Sequence, residues 1–350
     1  MKKKNNLRTL REIINIFKKK LKPEVLKWVN GSAEYGFTTI RNREIFRNIS
    51  IIPQVLKNFR EPKLESLFFG KKISCPILIA PVGGLSQFNK KAEFVVSEAS
   101  EEYQIPYFFP NNSSYNLNEI NKKSNKKYLC RSLYLDQDLD YCKKNIEEAE
   151  EFNCLAISIT VDAPVRPVSY NKTDTGYDAR KHYRKMNLKM PRQYFRKRST
   201  PLTWKNIEFI RNLTNKPLIL KGILSKNDAK IADDIGIDAI WVSNHGGRQM
   251  ETDITGIEVL EGIKSNIKNK TKLIVDGGIR TGSDIFKCLS LGADYVAIGR
   301  PIIFGLVANS NIGVKKVIEL YRHEFKTAMH LCGVSDINKI GLINIINRLK

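Results

Sequence analysis

No apolar run in the 350 residues approaches the roughly 20 needed to cross a membrane as a helix. The N-terminal stretch MKKKNNLRTLREIINIFKKKLKP is basic, but it lacks the apolar core and small-residue cleavage site of a secretory signal. A cytoplasmic location is therefore expected. Cysteine is scarce: Cys75, Cys130, Cys142, Cys154, Cys288 and Cys332 are scattered, with no C-x-x-C pair. That pattern speaks for reduced, buried thiols and against a disulfide framework or zinc site, so no metal is expected. Acidic residues are also short, 36 against 59 basic ones, giving a net charge of +23. Such a charge fits an acidic partner such as nucleic acid or an anionic membrane surface. The alternative, preferred here, is lysines spread over solvent faces in a chain rich in Lys, Asn and Ile, with no nucleic acid involved. One local exception is residues 172–198, which hold ten Lys or Arg and no clear period. They are expected to form a long basic loop that makes at most weak membrane-surface contact.

Short apolar runs rich in β-branched residues recur along the chain: CPILIAP, PYFF, KYLCRSLYL, CLAISITVD, PLILKG, AIWVSN, KLIVDGG and YVAIG. Amphipathic stretches of helical length lie between them, among them 91–103, 138–152, 225–236 and 282–292. Alternation of near-continuous apolar strands with helices marks a parallel sheet covered on its faces. Eight such units favour a closed (β/α)₈ TIM barrel, and no early G-x-G-x-x-G supports a dinucleotide fold. Residues 1–70 are expected to be a helical extension packed on the barrel, and 71–350 the barrel itself. Residues 311–335 read as its last helix. Residues 162–203 are too long for an ordinary connection and are expected to be a lid or insert.

Active sites of such barrels lie at the carboxyl ends of the strands. The polar residues there are Thr160 and Asp162, Lys221, then Ser243, Asn244, His245 and Arg248, then Asp276 and Arg280, and finally Gly299 and Arg300. A charge ending an apolar strand is costly to desolvate unless a partner awaits it. The chain has only four histidines, and His245 sits three residues from Arg248 on a glycine-hinged turn, SNHGGRQ. After the last two strands, Gly277, Gly278 and Gly299 let backbone approach an anion that Arg280 and Arg300 pair with, as a phosphate site requires.

These residues together resemble the FMN-dependent α-hydroxy-acid oxidase and dehydrogenase family, which includes glycolate oxidase and flavin-linked lactate and mandelate dehydrogenases. The matching pieces are ILIAPVGG, ISITVDAP, TPLTWKNI, PLILKGIL, VSNHGGRQ, VDGGIRTGSD and AIGRP, in order, with LKPEVLKWVNGSAEYGF resembling the family's first helix. The resemblance implies an FMN cofactor with its phosphate at Arg280, Gly299 and Arg300 and its ribityl chain near Asp276. Gly277, Gly278 and Ser243 complete that cofactor set. It places the backbone of Pro81, Val82 and Gly83 beside the flavin ring, Thr160 in hydrogen bond to it, and Lys221 near its N1/C2 carbonyl edge. It implies that His245 takes the substrate hydroxyl proton while hydride passes to flavin N5, that Asp162 steadies the imidazolium, and that Arg248 binds the carboxylate. The implied activity is oxidation of a 2-hydroxy acid to the 2-oxo acid, with the electron acceptor left open. A homo-oligomer is implied as well.

The N-terminal half departs from the family. Trp28 stands where a substrate-facing tyrosine is usual. Cys130 and Ser132 stand where the family has a glutamine and a tyrosine, unless a shifted register lets Tyr134 serve. Ser169 replaces a second carboxylate-binding arginine, with Arg166 as its only substitute, and Pro110-Asn111 replaces a Ser-Ser pair. A hydroxy acid bulkier than lactate is therefore expected. Two alternatives are a flavin barrel with non-redox chemistry, like isopentenyl diphosphate isomerase, and a basic surface-binding protein on a retired enzyme fold.

Overall fold

The computed structural model describes residues 7–57, 60–121, 127–134, 139–185, 202–268, 270–341 and 344–349. The basic segment 172–198 lies outside the described residues from 186 onward. Eight parallel strands close into a barrel: β1 (Ile77–Ile79), β2 (Tyr107–Phe109), β3 (Leu129–Tyr134), β4 (Ile157–Thr160), β5 (Leu218–Ile223), β6 (Ala239–Val242), β7 (Lys272–Val275) and β8 (Tyr295–Ile298). Each pairs with its neighbours in chain order, and β8 closes on β1. The fold is the (β/α)₈ barrel expected from the eight units.

Alternate residues of a strand face opposite ways. One set, including Leu78, Phe108, Cys130, Ala156, Ile219, Trp241, Ile274 and Tyr295, packs inside the barrel. The other, including Ile79, Leu133, Ile159, Leu220, Val242 and Val275, packs outward in the larger core under the helices. Burial on both faces is why these strands read as continuous apolar runs. Towards the carboxyl ends the inward row turns polar: Ser132 and Tyr134, then Ser158, Thr160 and Asp162, then Lys221, then Ser243 and His245, then Asp276. The opposite end is stoppered by an antiparallel hairpin, Ser66–Phe68 with Lys71–Ile73. Phe68 from that hairpin is fully buried edge-on to Phe108 and Tyr295.

Three helices precede the barrel: α1 (Leu10–Lys20), α2 (Pro23–Asn30) and α3 (Phe37–Glu44). Helix α1 starts at Thr9, whose side chain accepts the Glu12 N–H, and it buries Leu10, Ile13 and Phe17 along one stripe. The Phe17 ring lies 4.7 Å from Phe304 of the final helix. A strand at Ile49–Ile51 pairs antiparallel with Ile345–Asn347, so the two ends of the chain share one small sheet. Between β4 and β5 the chain forms short helices at Tyr170–Thr175 and Ala179–Lys185.

The final helix differs from its sequence expectation of 311–335. Helical structure runs over Arg300–Leu331, with Asn309 and Ser310 in non-helical conformations that break it in two. The break lets its halves pack back to back at glycines: a Cβ on Gly313 would lie 1.9 Å from the Gly305 carbonyl oxygen. All six cysteines are buried and free. Among the described residues no helix is long and apolar enough to cross a membrane, and no group of His, Cys, Asp or Glu forms a metal cluster.

Candidate active site

Beyond β6 the backbone takes an uncommon path. His245, Gly246 and Gly247 have φ of 58°, 65° and 75°, three consecutive residues in the left-handed region. Glycine adopts that region freely, whereas an L side chain there costs roughly 1–2 kcal/mol. His245 is held there by its surroundings. Its N–H donates to Ser243 Oγ at 3.0 Å, and its Nδ1 lies 3.0 and 3.1 Å from the two Asp162 oxygens. Gly247 cannot be larger, since a Cβ would lie 2.8 Å from the Thr39 nitrogen of α3. Asn244 Oδ1 accepts from the Gly247 N–H and from Asn42 of the same helix. The Tyr134 ring lies nearly parallel to the imidazole, 6.5 Å away.

Asp162 finds its place because Gly222, at φ 112°, has no side chain: a Cβ there would lie 2.5 Å from the Asp162 Cβ. Burial by itself would raise the Asp162 pKa. His245 and Lys221 outweigh that and hold it below the usual carboxylate value. The carboxylate therefore fixes the imidazole with Nδ1 as the inner nitrogen and leaves Nε2 as the other.

Lys221, on β5, is 3 % exposed. Its Nζ lies 3.3 Å from Ser243 Oγ, which itself donates to Asp276 Oδ1 at 2.7 Å. The other Asp276 oxygen accepts the Trp241 indole N–H at 3.0 Å. This chain fills both oxygens of a carboxylate at the end of β7 and sets a cation within the barrel mouth.

Beside it three arginines converge on the cavity: Arg248, Arg280 and Arg300. Arg248 donates to the Gly31 and Val29 carbonyls at 2.7 and 3.2 Å, and so caps the C-terminal end of α2. Its guanidinium also stacks over Trp28, at 5.8 Å from the ring centre. Arg300 reaches the Gly246 carbonyl at 2.9 Å, but its buried Nε has no partner among the described residues. Burial lowers the pKa of all three, and for Arg300 the nearby Arg248 and Arg280 lower it further. Buried cations that repel one another and face a cavity call for an anion.

Gly277 and Gly278, at φ 101° and 76°, line the same cavity. Their small size has a second cause that the sequence did not disclose. A Cβ on Gly278 would lie 1.6 Å from the Asn42 carbonyl, so α3 itself presses against this turn. A second cavity of about 680 Å³ adjoins the first and shares Trp28, Tyr134, His245 and Arg248 with it. Its far side is walled by Ser32, Arg166, Ser169, Tyr177 and Gln249. Tyr177, from the segment after β4, donates to Gln87 at 2.7 Å and faces the Trp28 ring at 5.8 Å.

A profile of the family described as FMN-dependent dehydrogenase matches residues 17–346. The chain belongs to that family. It is similar to 4-hydroxymandelate oxidase of Amycolatopsis orientalis, 30% identical over 92% of this chain and 93% of that protein. It is likewise similar to 2-hydroxyacid oxidase 2 of Homo sapiens, 32% identical over 90% and 91% of the two chains. A crystal structure of mandelate oxidase with benzoyl-formic acid superposes with a TM-score of 0.89, at 29% identity and 97% coverage of each chain. FMN is thus the cofactor, and the residues present fit it. An anion cradle of buried guanidinium, whose Arg300 Nε has no partner among the described residues, and of glycine backbone lies at one side of the cavity, and the ammonium of Lys221 lies within its wall.

The sequence-derived candidates are brought together. Trp28, Pro81, Val82, Gly83, Lys221, His245, Arg248, Asp276, Gly277, Gly278, Arg280, Gly299 and Arg300 all line one cavity. Thr160, Asp162 and Ser243 do not line it. Asp162 stands behind His245, Ser243 is fully buried beneath Lys221 and Asp276, and Thr160 is buried on β4. The register of β3 corrects the first of the two readings given above. Cys130 is buried inside the barrel and Ser132 is buried, while Tyr134 faces the cavity beside His245. One tyrosine is therefore present beside His245, in the shifted register that the sequence left open. Asn112 also lines the cavity and was missed; in the sequence it is one polar residue among several in PNNSS.

Proposed function

We propose that the protein oxidises a 2-hydroxy acid to the 2-oxo acid with His245 as the base and Arg248 as the carboxylate anchor. The observation that carries this reading is the Asp162–His245 pair at 3.0 Å, in a cavity shared with Arg248 and the anion cradle. FMN, when bound, supplies the two-electron acceptor. His245 takes the hydroxyl proton on Nε2, and Asp162 stabilises the resulting imidazolium through Nδ1. Arg248 donates through Nη1 to the Val29 and Gly31 carbonyls and, at 3.5 Å, through Nη2 to that of Trp28, which sets the plane of its guanidinium at the cavity wall, where it would grip a carboxylate. Arg280 and Arg300, with the backbone of Gly277, Gly278 and Gly299, would hold the cofactor phosphate. Asp276 would face its ribityl chain, the backbone of Pro81 to Gly83 its ring, and Lys221 the ring edge where negative charge develops. Ser243 serves that set by holding Lys221 and Asp276.

The adjoining cavity supports a substrate bulkier than lactate, with Trp28 and Tyr177 closing over it. Purified protein that binds FMN, and whose flavin absorbance bleaches anaerobically with 2-hydroxy acids but not after His245→Ala, is the expected result. An unbleached flavin with every acid tried, or full bleaching rates in the variant, overturns the reading.

A further inference from the structure

The loop after β2 carries an amide that none of these roles uses. Asn112 is 4 % exposed and lines the cavity with Gly83, Tyr134 and His245. Its Oδ1 is buried with no hydrogen-bond partner among the described residues. Position is secured without the amide: the Asn112 carbonyl accepts the Gly84 N–H at 2.9 Å, and Gly83 leaves room for the Asn112 Cβ, which a Gly83 Cβ would meet at 2.8 Å. A leucine of similar size would fill the same space without burying an unmet polar atom. An amide kept in such a place has a ligand group to meet.

The hydroxyl and carboxylate of a 2-hydroxy acid are engaged by His245 and Arg248 on that reading, so the substrate group left for Asn112 is on the side chain of the acid. A hydroxyl is both donor and acceptor, and it satisfies the amide whichever way the amide is turned. The adjoining cavity agrees, since Ser32 and Gln249 on its wall carry a hydroxyl and an amide. We propose that Asn112 is a specificity-determining residue that hydrogen-bonds a hydroxyl on the side chain of the substrate, and that the substrate class is 2-hydroxy acids bearing at least one further hydroxyl. This rests on the 2-hydroxy acid reading above.

The test uses the FMN-loaded protein and matched acids of equal chain length, 2-hydroxybutanoate against 2,3- and 2,4-dihydroxybutanoate. Binding is read from the perturbation of flavin absorbance and turnover from anaerobic bleaching. The dihydroxy acids are expected to be preferred by about tenfold or more, because a site built for a hydroxyl rejects the analogue lacking it. Asn112→Leu is expected to bring that ratio to within about twofold of unity, and Asn112→Ser to keep part of the preference. A wild-type preference for the plain acid overturns the inference. So does an Asn112→Leu variant whose ratio is unchanged while its flavin binding or overall rate falls. If no acid bleaches the flavin, oxidation by this site is what fails, and the binding ratio still decides the role of Asn112.

Discussion

Replacing Asp162 by asparagine tests the base most directly. The side chain keeps its size, and the space opened by Gly222 still accommodates it. What is lost is a carboxylate whose two oxygens lie 3.0 and 3.1 Å from His245 Nδ1. A hydrogen bond to a charged group is worth ~1.5–3 kcal/mol, which is roughly 10- to 150-fold in rate if it acts on the imidazolium formed during proton removal. An asparagine also offers an N–H to Nδ1, favouring the wrong tautomer and adding to the loss. Stopped-flow bleaching of the flavin by a 2-hydroxy acid measures the step. The loss is expected to vanish in a His245→Gln background, because two residues acting as one unit are not additive. The pH dependence of stability has a definite sign. The folded pKa of Asp162 lies below its unfolded value, so its contribution is present above the unfolded value and is lost as pH falls through the folded one. The stability gap between wild type and Asp162→Asn therefore closes in acid. Bleaching within twofold of wild type, or losses that simply add with His245→Gln, would refute the assignment.

Gly222→Ala is expected to lower the bleaching rate without removing any ionisable group, since its Cβ would lie 2.5 Å from that of Asp162 and its φ of 112° disfavours alanine; an unchanged rate would separate Asp162 from catalysis. Arg248→Lys loses the fork that holds α2 and, on the proposed reading, the substrate carboxylate, so KM should rise about tenfold or more while the flavin content holds. Inorganic phosphate is expected to stabilise the FMN-free protein, by about 2.7 kcal/mol at a hundred times its Kd, and Arg300→Met to abolish the effect in a thermal-shift titration. Burial raises the pKa of Glu93, which accepts from Ser86 and Ser113, so its contribution is complete below the unfolded value and is lost as pH rises through the folded one. Denaturant titrations should show that Glu93→Gln lacks this loss and gains on wild type towards neutral pH.

Much of the barrel was legible because its strands are buried on both faces, so apolar runs alone located them. The His245 turn was legible for a related reason: polar residues that continue an inward-facing row have nowhere to go but the mouth. The register of β3 was left open at Arg131, a charge in the middle of a strand. It faces outward, where Asn145 of the next helix accepts from it at 2.6 Å and the Pro110 carbonyl accepts at 3.3 Å. Those partners lie 14 and 21 positions away, so the sequence showed an interrupted run, and the register that carries Tyr134 to His245 stayed open. Gly278 was legible as a small residue near an anion, but its closest constraint is the Asn42 carbonyl, from a helix more than two hundred positions earlier. Arg248 behaves likewise, with its nearest acceptors at Val29 and Gly31. In each case local chemistry showed in the sequence while the partner supplied by distant chain did not. The contacts missed in this way share one origin, the segment from α2 to α3. That segment does not merely pack on the barrel: it orients Arg248, presses on the glycine turn at Gly278 and, through Thr39 and Asn42, braces the left-handed turn that carries His245.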